Sequence, residues 1–325
     1  MKTILLSLLL ITLSILLHAQ AVPADDENIP YLMTFGKDAE TSWGDDDYSQ
    51  TFFFKIPKES TKGFYIRIFD PECSGLIDEV NGEFNTIMSY MILGGDGCWS
   101  DEDAQGTDPV GNYRSGNLLL RKRFTEFDTR FDNKWWTSGP FSPSEGEWVE
   151  QENGYVFKII IEGVFGDDGN LYKMFLSTEA DDNKAIEGAN AFTYEYSFRM
   201  HDNPNEVSHI YPYIDSRTVS IKLSNFDWDN DGCIRIVSII RKGQITSVSG
   251  EDEWVNEEMN IIDRELNSSL DFQFIKSKSN EVKNNNVVVN IRNQYDEALK
   301  FYVIPIGGVP KYIYAIHAKK TVLEK

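Results

Sequence analysis

Acidic side chains alternate with other residues in one short stretch of the chain, DWDNDG at 227–232. Ca²⁺ takes six to eight oxygen ligands, and a glycine after closely spaced carboxylates allows the sharp turn that a wrapped calcium loop needs. An EF-hand is excluded, because its twelfth position is Ser238 instead of a bidentate Glu and the flanking residues have strand patterns. The stretch therefore predicts a different kind of calcium loop, flanked by strands.

The predicted calcium ligands are Asp227, Asp229 and Asp231, completed by Glu251 or Asp252 from the following turn. Like charges packed this closely are unfavourable without a counterion, which favours a bound cation. An acidic hairpin in which 230–232 make only the bend fits the same residues equally well. Both interpretations stay open at the level of sequence.

Two further acidic clusters lie in the N-terminal half of the chain. One is Asp45 to Asp47, and the other is 101–103 together with Asp108. Their spacing matches no specific metal motif, so we interpret both as solvated loops.

Seven tryptophans are spread along the chain, and Trp135 and Trp136 are adjacent. Neighbouring residues of a strand point to opposite faces of its sheet, so at most one of this pair is buried in a given core. An exposed indole can stack on a sugar ring, whereas a buried indole fills the core. Trp135 and Trp136 are therefore the candidate ligand-binding residues, and packing is the alternative.

Signatures of catalysis are missing from the sequence. It contains no H-E-x-x-H, G-x-S-x-G, P-loop or G-x-G-x-x-G motif, and no histidines at metal-binding spacing. A glycosidase with two carboxylates stays open, because its acid and base need only be close in space. The sequence favours a protein without catalytic activity.

Alternation of apolar and polar residues, which is typical of strands, continues along most of the chain. We predict strands at 51–56, 63–69, 86–93, 116–124, 134–141, 155–162, 171–177, 191–200, 207–214, 218–226, 233–241, 270–276, 287–292, 300–305 and 311–317. The Asp-Gly pair within 166–170 predicts a tight hairpin. One helical stretch is predicted at 255–266.

The formal net charge of −21 excludes nucleic acid as a partner, since phosphate contacts need clustered Lys and Arg. It also argues against an anionic membrane surface. Residues 22–200 contain 34 acidic and 15 basic residues, whereas 201–325 contain 18 and 15. A polar, proline-containing segment at 201–206 separates these two parts of the chain. We therefore predict two domains, 22–202 and 203–325, as tandem antiparallel β-sandwiches, the first acidic and jelly-roll-like and the second immunoglobulin-like.

The N-terminus predicts export. Lys2 precedes an apolar run at 4–17, and the sequence Ala-Gln-Ala that ends at Ala21 matches a cleavage pattern. The run is short for a membrane span, and no cysteine follows it for lipid attachment. We expect a signal peptide at 1–21 and a secreted or periplasmic protein without membrane insertion.

The chain has three cysteines. We favour separate buried thiols over a disulfide between Cys73 and Cys98.

Strand 51–56 followed by 63–69, in TFFFKIP…GFYIRIFDPECSG, resembles a strand pair of pre-peptidase C-terminal domains. The segments SWGDDD, DPVGNY, GDDGNLY, HIYPYID, NFDWDNDG and IPIGGVPKY resemble exported bacterial proteins of unknown function. These resemblances imply tandem β domains and no catalytic residues.

Taken together, the sequence predicts an exported, non-catalytic binding protein stabilised by Ca²⁺. Its partner would be an extracellular glycan or a cell-surface protein. The alternatives are a polysaccharide-active enzyme, a carbohydrate-binding accessory protein, and a structural component of the cell envelope.

Overall fold

The computed structural model describes residues 20–279 and 282–308. The strand predicted at 311–317 and most of the predicted signal peptide lie outside these residues. No helix in the described residues is long and apolar enough to cross a membrane.

The described residues are all-β, with twenty-two strands, short 3₁₀ helices and no α-helix. The strands are β1 Ala21–Val22, β2 Tyr31–Phe35, β3 Ser49–Pro57, β4 Phe64–Phe69, β5 Ile87–Gly94, β6 Asn117–Phe124, β7 Trp135–Phe141, β8 Glu147–Val149, β9 Gly154–Phe165, β10 Gly169–Ser177, β11 Asn190–Thr193, β12 Glu195–Arg199, β13 Val207–Ile210, β14 Tyr213–Ile214, β15 Ser220–Phe226, β16 Gly232–Val237, β17 Lys242–Thr246, β18 Trp254–Asn260, β19 Ser268–Ser269, β20 Asp271–Lys276, β21 Asn286–Asn293 and β22 Phe301–Tyr302. The 3₁₀ helices are Asp25–Glu27, Thr41–Trp43, Thr129–Phe131, Pro143–Glu145, Glu150–Glu152 and Asp263–Glu265.

Antiparallel sheets stacked face to face form the molecule, which confirms the predicted β-sandwich class. The large sheet has the order β18-β15-β21-β12-β2-β10-β4-β7, with β1 beside β10. The seven-stranded sheet has the order β22-β11-β3-β9-β5-β6, with β8 beside β9. A four-stranded sheet, β13-β20-β16-β17, and the pair β14-β19 complete the fold.

Alternation buries one face of each strand in a continuous core. Phe52 and Ile159 of the seven-stranded sheet belong to the same buried cluster as Leu32 and Phe198 of the large sheet. That cluster continues to Phe274 of the four-stranded sheet, so apolar packing extends through both halves of the chain. Burial of this apolar surface is the main stabilising contribution to the fold.

Hydrogen bonding also crosses the predicted boundary between 202 and 203. Strand β12, from the first half, pairs with β21 from the second, in a register that places Glu195 opposite Asn290. Strand β11 likewise pairs with β22. The two predicted domains therefore share the large sheet, and their independent folding stays a prediction.

The hairpin predicted at 166–170 is wrong. Strand β9 pairs with β3, β5 and β8, whereas β10 pairs with β1, β2 and β4, so this turn carries the chain from one sheet to the other. The buried carboxylate of Asp168 accepts hydrogen bonds from the backbone N–H groups of Asn81 at 2.9 Å, Asn85 at 2.8 Å and Thr86 at 3.1 Å. These hydrogen bonds hold the turn through which the chain crosses from the seven-stranded sheet to the large sheet.

The helix predicted at 255–266 is also wrong. Strand β18 pairs with β15 along its length, and Met259, opposite Ile221, is its buried residue. The 3₁₀ helix Asp263–Glu265 follows. Pairing with an available sheet edge determined the structure here, since Ile261, Ile262 and Leu266, the apolar residues that would share one face of a helix, lie beyond the strand.

The chain joins the fold before the predicted end of the signal peptide. Ala21 pairs with Phe175 in β1, and Gln20 is 1% exposed. The Gln20 side-chain oxygen accepts a hydrogen bond from Ile186 N at 2.5 Å, and its backbone carbonyl accepts one from Leu176 N at 3.0 Å. Residues 20 and 21 are therefore structural parts of the sheet.

Candidate functional site

A cavity of about 610 Å³, here called the central cleft, opens where loops from both halves of the chain meet. One wall is the segment 76–81, and the other includes 283–286. Trp43, Arg199, Asp227 and Asp229 are among its other lining residues. Residues from both halves of the chain therefore line the same cleft.

The lining combines apolar and hydrogen-bonding groups. The Trp43 ring is partly exposed and packs on Phe35, with ring centroids 5.8 Å apart. Leu76 and Val80 at the rim are 91% and 51% exposed. Beside these apolar groups, Asn285 contributes a buried side-chain oxygen that has no hydrogen-bond partner and can accept a hydrogen bond from a ligand. Such a mixture suits a ligand with both an apolar face and hydroxyl groups.

Hydrogen bonds hold the two walls together. Glu79 forms an ion pair with Arg199, whose Nε also donates to Asn286 Oδ1 at 2.7 Å. Asn286 Nδ2 donates to the Trp43 carbonyl at 2.8 Å. The backbone of Glu79 exchanges two hydrogen bonds of 2.9 Å with Gly169. This network fixes the floor of the cleft.

The structure separates the three predicted calcium ligands. Asp227 and Asp229 line the central cleft, whereas the carboxylate of Asp231 is buried and lies 2.6 Å from the Lys276 ammonium. Asp227 Oδ1 accepts a hydrogen bond from Asp252 N at 2.6 Å, and burial raises the pKa of Asp227 to about 7. Lys276 already neutralises Asp231, so the predicted calcium site now depends on Asp227 and Asp229.

The cluster Asp45, Asp46 and Asp47 is less solvated than its sequence indicates. Their carboxylate oxygens lie within 4.8 Å of one another, the only such group of three acidic, His or Cys residues found among those described. Burial raises the pKa of Asp45 to about 7 and that of Asp46 to about 6. Asp45 is nevertheless used structurally, because it accepts hydrogen bonds from Phe35 N and Tyr48 N.

The second acidic cluster stabilises its own loop. Asp103 Oδ2 accepts a hydrogen bond from Asn112 N at 2.6 Å, and Asp101 Oδ2 accepts one from Asn112 Nδ2 at 3.2 Å. Glu102 and Asp108 are exposed. These side chains behave as loop residues, in agreement with the interpretation from sequence.

Trp135 and Trp136 lie on β7, at the edge of the large sheet, and both are partly buried. The Trp136 ring packs edge-on against Phe124, with centroids 5.3 Å apart. The Trp135 ring packs on Phe69, and the Arg67 guanidinium lies 5.3 Å from its centroid. Both indoles pack on neighbouring side chains, and a ligand-binding role for them stays a prediction.

Sequence reasoning missed the central cleft. No sequence motif marks the asparagines at 284–286, and Trp43 is one of seven tryptophans. These residues are about 240 positions apart, and no local pattern shows that they meet. Cys73 and Cys98 are separate buried thiols, as favoured from sequence, whereas the third free thiol, Cys233, is only partly buried.

A second cavity, of about 970 Å³, is lined by aromatic residues that include Trp99, Tyr194 and Tyr302. The Lys300 ammonium lies 4.8 Å from the Trp99 ring centroid and 6.0 Å from that of Tyr302. It also forms a 2.5 Å ion pair with Glu152. Part of the aromatic surface in this cavity is thus covered by a cation of the chain itself.

Comparison with known proteins identifies no family. No family model matches the chain, and no curated protein matches it. One solved structure, described as a "putative secreted protein" from Parabacteroides distasonis ATCC 8503, is 9% identical, with a TM-score of 0.19. The similarity covers 88% of this chain and 97% of that one, and at this TM-score it supports no inference. The resemblance to pre-peptidase C-terminal domains stays a prediction.

Proposed function

We propose that the protein is an exported, non-catalytic binding protein whose central cleft takes a neutral polyhydroxylated ligand, an extracellular glycan. The observation that supports this most strongly is that Trp43 and the amides of 284–286 line the same cavity. Sugars present an apolar face to aromatic rings and hydroxyl groups to amides and carboxylates. The cavity volume lies within the range of about 300–1,000 Å³ for small-ligand sites.

The charges of the central cleft favour a neutral ligand over an anionic one. Its acidic lining residues outnumber its basic lining residues by five to two. The acidic ones are Asp78, Glu79, Asp167, Asp227 and Asp229, and the basic ones are Arg199 and Lys283. A negative potential repels anions and leaves carboxylate oxygens available to accept hydrogen bonds from hydroxyl groups.

Affinity electrophoresis against a panel of neutral and acidic polysaccharides tests the proposal. We expect the wild-type protein to be retarded by a neutral glycan, and Trp43→Ala to weaken binding at least tenfold. Leu76→Asp serves as a second variant, because Leu76 is 91% exposed and its replacement leaves the core intact. Trp148→Ala is the matched control, since Trp148 is exposed outside the cleft. Retardation by no glycan, or equal binding by all variants, overturns the proposal.

Calcium is the second part of the proposal. We expect Asp227 and Asp229 to attract a cation at the cleft, because burial raises the pKa of both carboxyl groups and the charge of Asp229 raises that of Asp227 further. Thermal melting with calcium and with chelator should show a smaller calcium-dependent rise in Tm for Asp229→Ala than for wild type. If calcium raises the Tm of wild type and of Asp229→Ala equally, Asp229 is not a calcium ligand.

A polysaccharide hydrolase is the second candidate, and one observation favours it. Asp227, with a pKa raised to about 7 by burial, lies in the same cleft as Asp229. A protonated carboxyl beside an ionised one is the arrangement that glycosidases use as acid and base. Wild type would then release reducing sugar from a polysaccharide, and Asp227→Asn would not. This pair of results would show that the protein hydrolyses its ligand and does not only bind it.

A further inference from the structure

Three consecutive carboxylates, Asp45, Asp46 and Asp47, converge in the turn between the 3₁₀ helix Thr41–Trp43 and β3. Each offers an oxygen atom, and these atoms all lie within 4.8 Å of one another. Calcium binds oxygen at about 2.3–2.6 Å, so two ligands on opposite sides of one ion are on the order of 5 Å apart. The three carboxylates are therefore close enough together to bind the same ion.

Two of these carboxylates have buried oxygens without partners. Neither Asp46 Oδ1 nor Asp47 Oδ2 has a hydrogen-bond partner, and both atoms are shielded from solvent. Asp47 is partly exposed as a residue, but its carboxyl group is enclosed by the protein, and its other oxygen accepts a hydrogen bond from Ser49 N at 2.9 Å. Buried polar atoms in folded proteins are nearly always paired, so these two oxygens point to a ligand that the chain itself does not supply.

The third carboxylate, that of Asp45, is held in place by backbone groups. It is completely buried, its Oδ2 accepts a hydrogen bond from Phe35 N at 2.7 Å, and its Oδ1 accepts one from Tyr48 N at 3.0 Å. A carboxylate oxygen has two lone pairs, so each oxygen of Asp45 keeps one for a cation. The fold therefore fixes one ligand of the site before any ion binds.

Negative charge in this turn has no ion-pair partner. Among the ion pairs of the described residues, none involves Asp45, Asp46 or Asp47. Burial raises the pKa of all three carboxyl groups, and the charge of Glu195, which is itself buried, raises that of Asp47 further. A buried carboxylate without a partner either stays protonated or binds a cation.

We propose that Asp45, Asp46 and Asp47 form a binding site for a divalent cation, with Ca²⁺ as the preferred ion. All three ligands are carboxylates, which suit Ca²⁺, Mg²⁺ and Mn²⁺ better than softer metal ions. Mg²⁺ usually keeps several of its water molecules and demands octahedral geometry, whereas no solvent reaches the unpaired oxygens of this turn. Calcium accepts the irregular geometry that three consecutive residues impose.

The site is linked to the central cleft through Trp43, which precedes Asp45 by two residues. The glycine between them, Gly44, has φ of +93° and packs closely on the other wall, because a Cβ added there would be 2.5 Å from the Asn286 carbonyl oxygen. Asn286 Nδ2 in turn donates to the Trp43 carbonyl. An ion bound by the three carboxylates would therefore hold Trp43 in position for a ligand, and this consequence, unlike the site itself, rests on the proposed function.

Isothermal titration calorimetry with CaCl₂ on the chelator-treated protein tests the site without any glycan. We expect Asp46→Asn and Asp47→Asn, which keep the shape and remove one charge each, to bind one calcium fewer than wild type or to bind it at least tenfold more weakly. Asp46→Asn is the milder variant, because Asp46 Oδ1 has no hydrogen bond to lose. Glu102→Gln is the control, since it removes the same charge from an exposed position in another acidic loop. Asp229→Ala should retain this calcium, because Asp229 lines the central cleft.

Equal stoichiometry and affinity in wild type and both site variants would overturn the proposal. A wild-type protein that binds no calcium overturns it as well, because the three carboxyl groups would then share protons instead of a cation. Tighter binding of MgCl₂ than of CaCl₂ would overturn the choice of ion. Calcium binding at this site without glycan binding would leave the site established and refute only the proposed function, and a result with both absent refutes both.

Discussion

The carboxylate of Asp231 lies 2.6 Å from the ammonium of Lys276, and both side chains are almost completely buried. The pair joins the turn before β16 to the end of β20. In sequence Asp231 resembles a calcium ligand, and in the structure a lysine from a neighbouring strand takes the place of the cation. Removal of one partner from such a pair leaves a buried, uncompensated charge.

Lys276→Met should therefore destabilise the protein by about 3–5 kcal/mol. Urea unfolding monitored by tryptophan fluorescence measures the change. Lys222→Met is the control, since the Lys222–Asp296 pair is solvent-exposed and should contribute less than about 1 kcal/mol. A loss of similar size in the two variants would contradict this account of Asp231.

Glu27 should make the stability depend on pH. It is fully buried, accepts hydrogen bonds from Ala24 N and Tyr196 Oη, and has a pKa raised by burial from 4.5 to about 8. Between these two values the folded state retains a proton that the unfolded state has lost, so stability falls as pH rises from 5 to 8.

Glu27→Gln removes this titration. We expect the variant to match wild type near pH 5 and to be more stable at pH 8, by on the order of 2–4 kcal/mol. Urea titrations at the two pH values provide the measurement. Parallel pH dependence in the two proteins would show that Glu27 does not titrate in this range.

Asp168 should be essential for the crossover between the two sheets. Its carboxylate accepts from three backbone N–H groups and from Thr86 Oγ1 at 3.0 Å. Asp168→Ala leaves these donors buried without partners, at about 1–3 kcal/mol each, so we expect a loss of at least 3 kcal/mol. Asp167→Ala, at the adjacent and more exposed position, should cost less than about 1 kcal/mol. Equal effects would argue against the crossover role.

The buried position of Gln20 predicts where processing occurs. Cleavage after Ala21 would remove the hydrogen bonds of Gln20 and half of β1, whereas cleavage after Ala19, also a small residue, keeps both. Intact-mass measurement of the exported protein should show a chain that retains Gln20. A mature chain that starts at Val22 would contradict the prediction.

Most of the sheet structure could be predicted from alternation. The strand predicted at 51–56 is observed as Ser49–Pro57, and that at 270–276 as Asp271–Lys276. Which strand pairs with which could not be predicted in the same way. The Asp-Gly turn at 168–169 specifies a change of direction, but which sheet receives the next strand depends on the bonds of Asp168 to Asn81 and Asn85, 87 and 83 positions earlier.

The candidate sites show the same limit. Acidic residues at 227–231 are conspicuous in sequence, yet Lys276, 45 positions later, decides what Asp231 does. Local spacing indicates which residues can bind a cation, and long-range packing determines which of them remain available.

The pairing of β12 with β21 joins the N-terminal and C-terminal halves of the chain by backbone hydrogen bonds. A tensile force that separates the N-terminal and C-terminal halves must first shear a row of backbone hydrogen bonds, in addition to extending the segment 201–206. A ligand bound between the two walls of the cleft would add to that resistance.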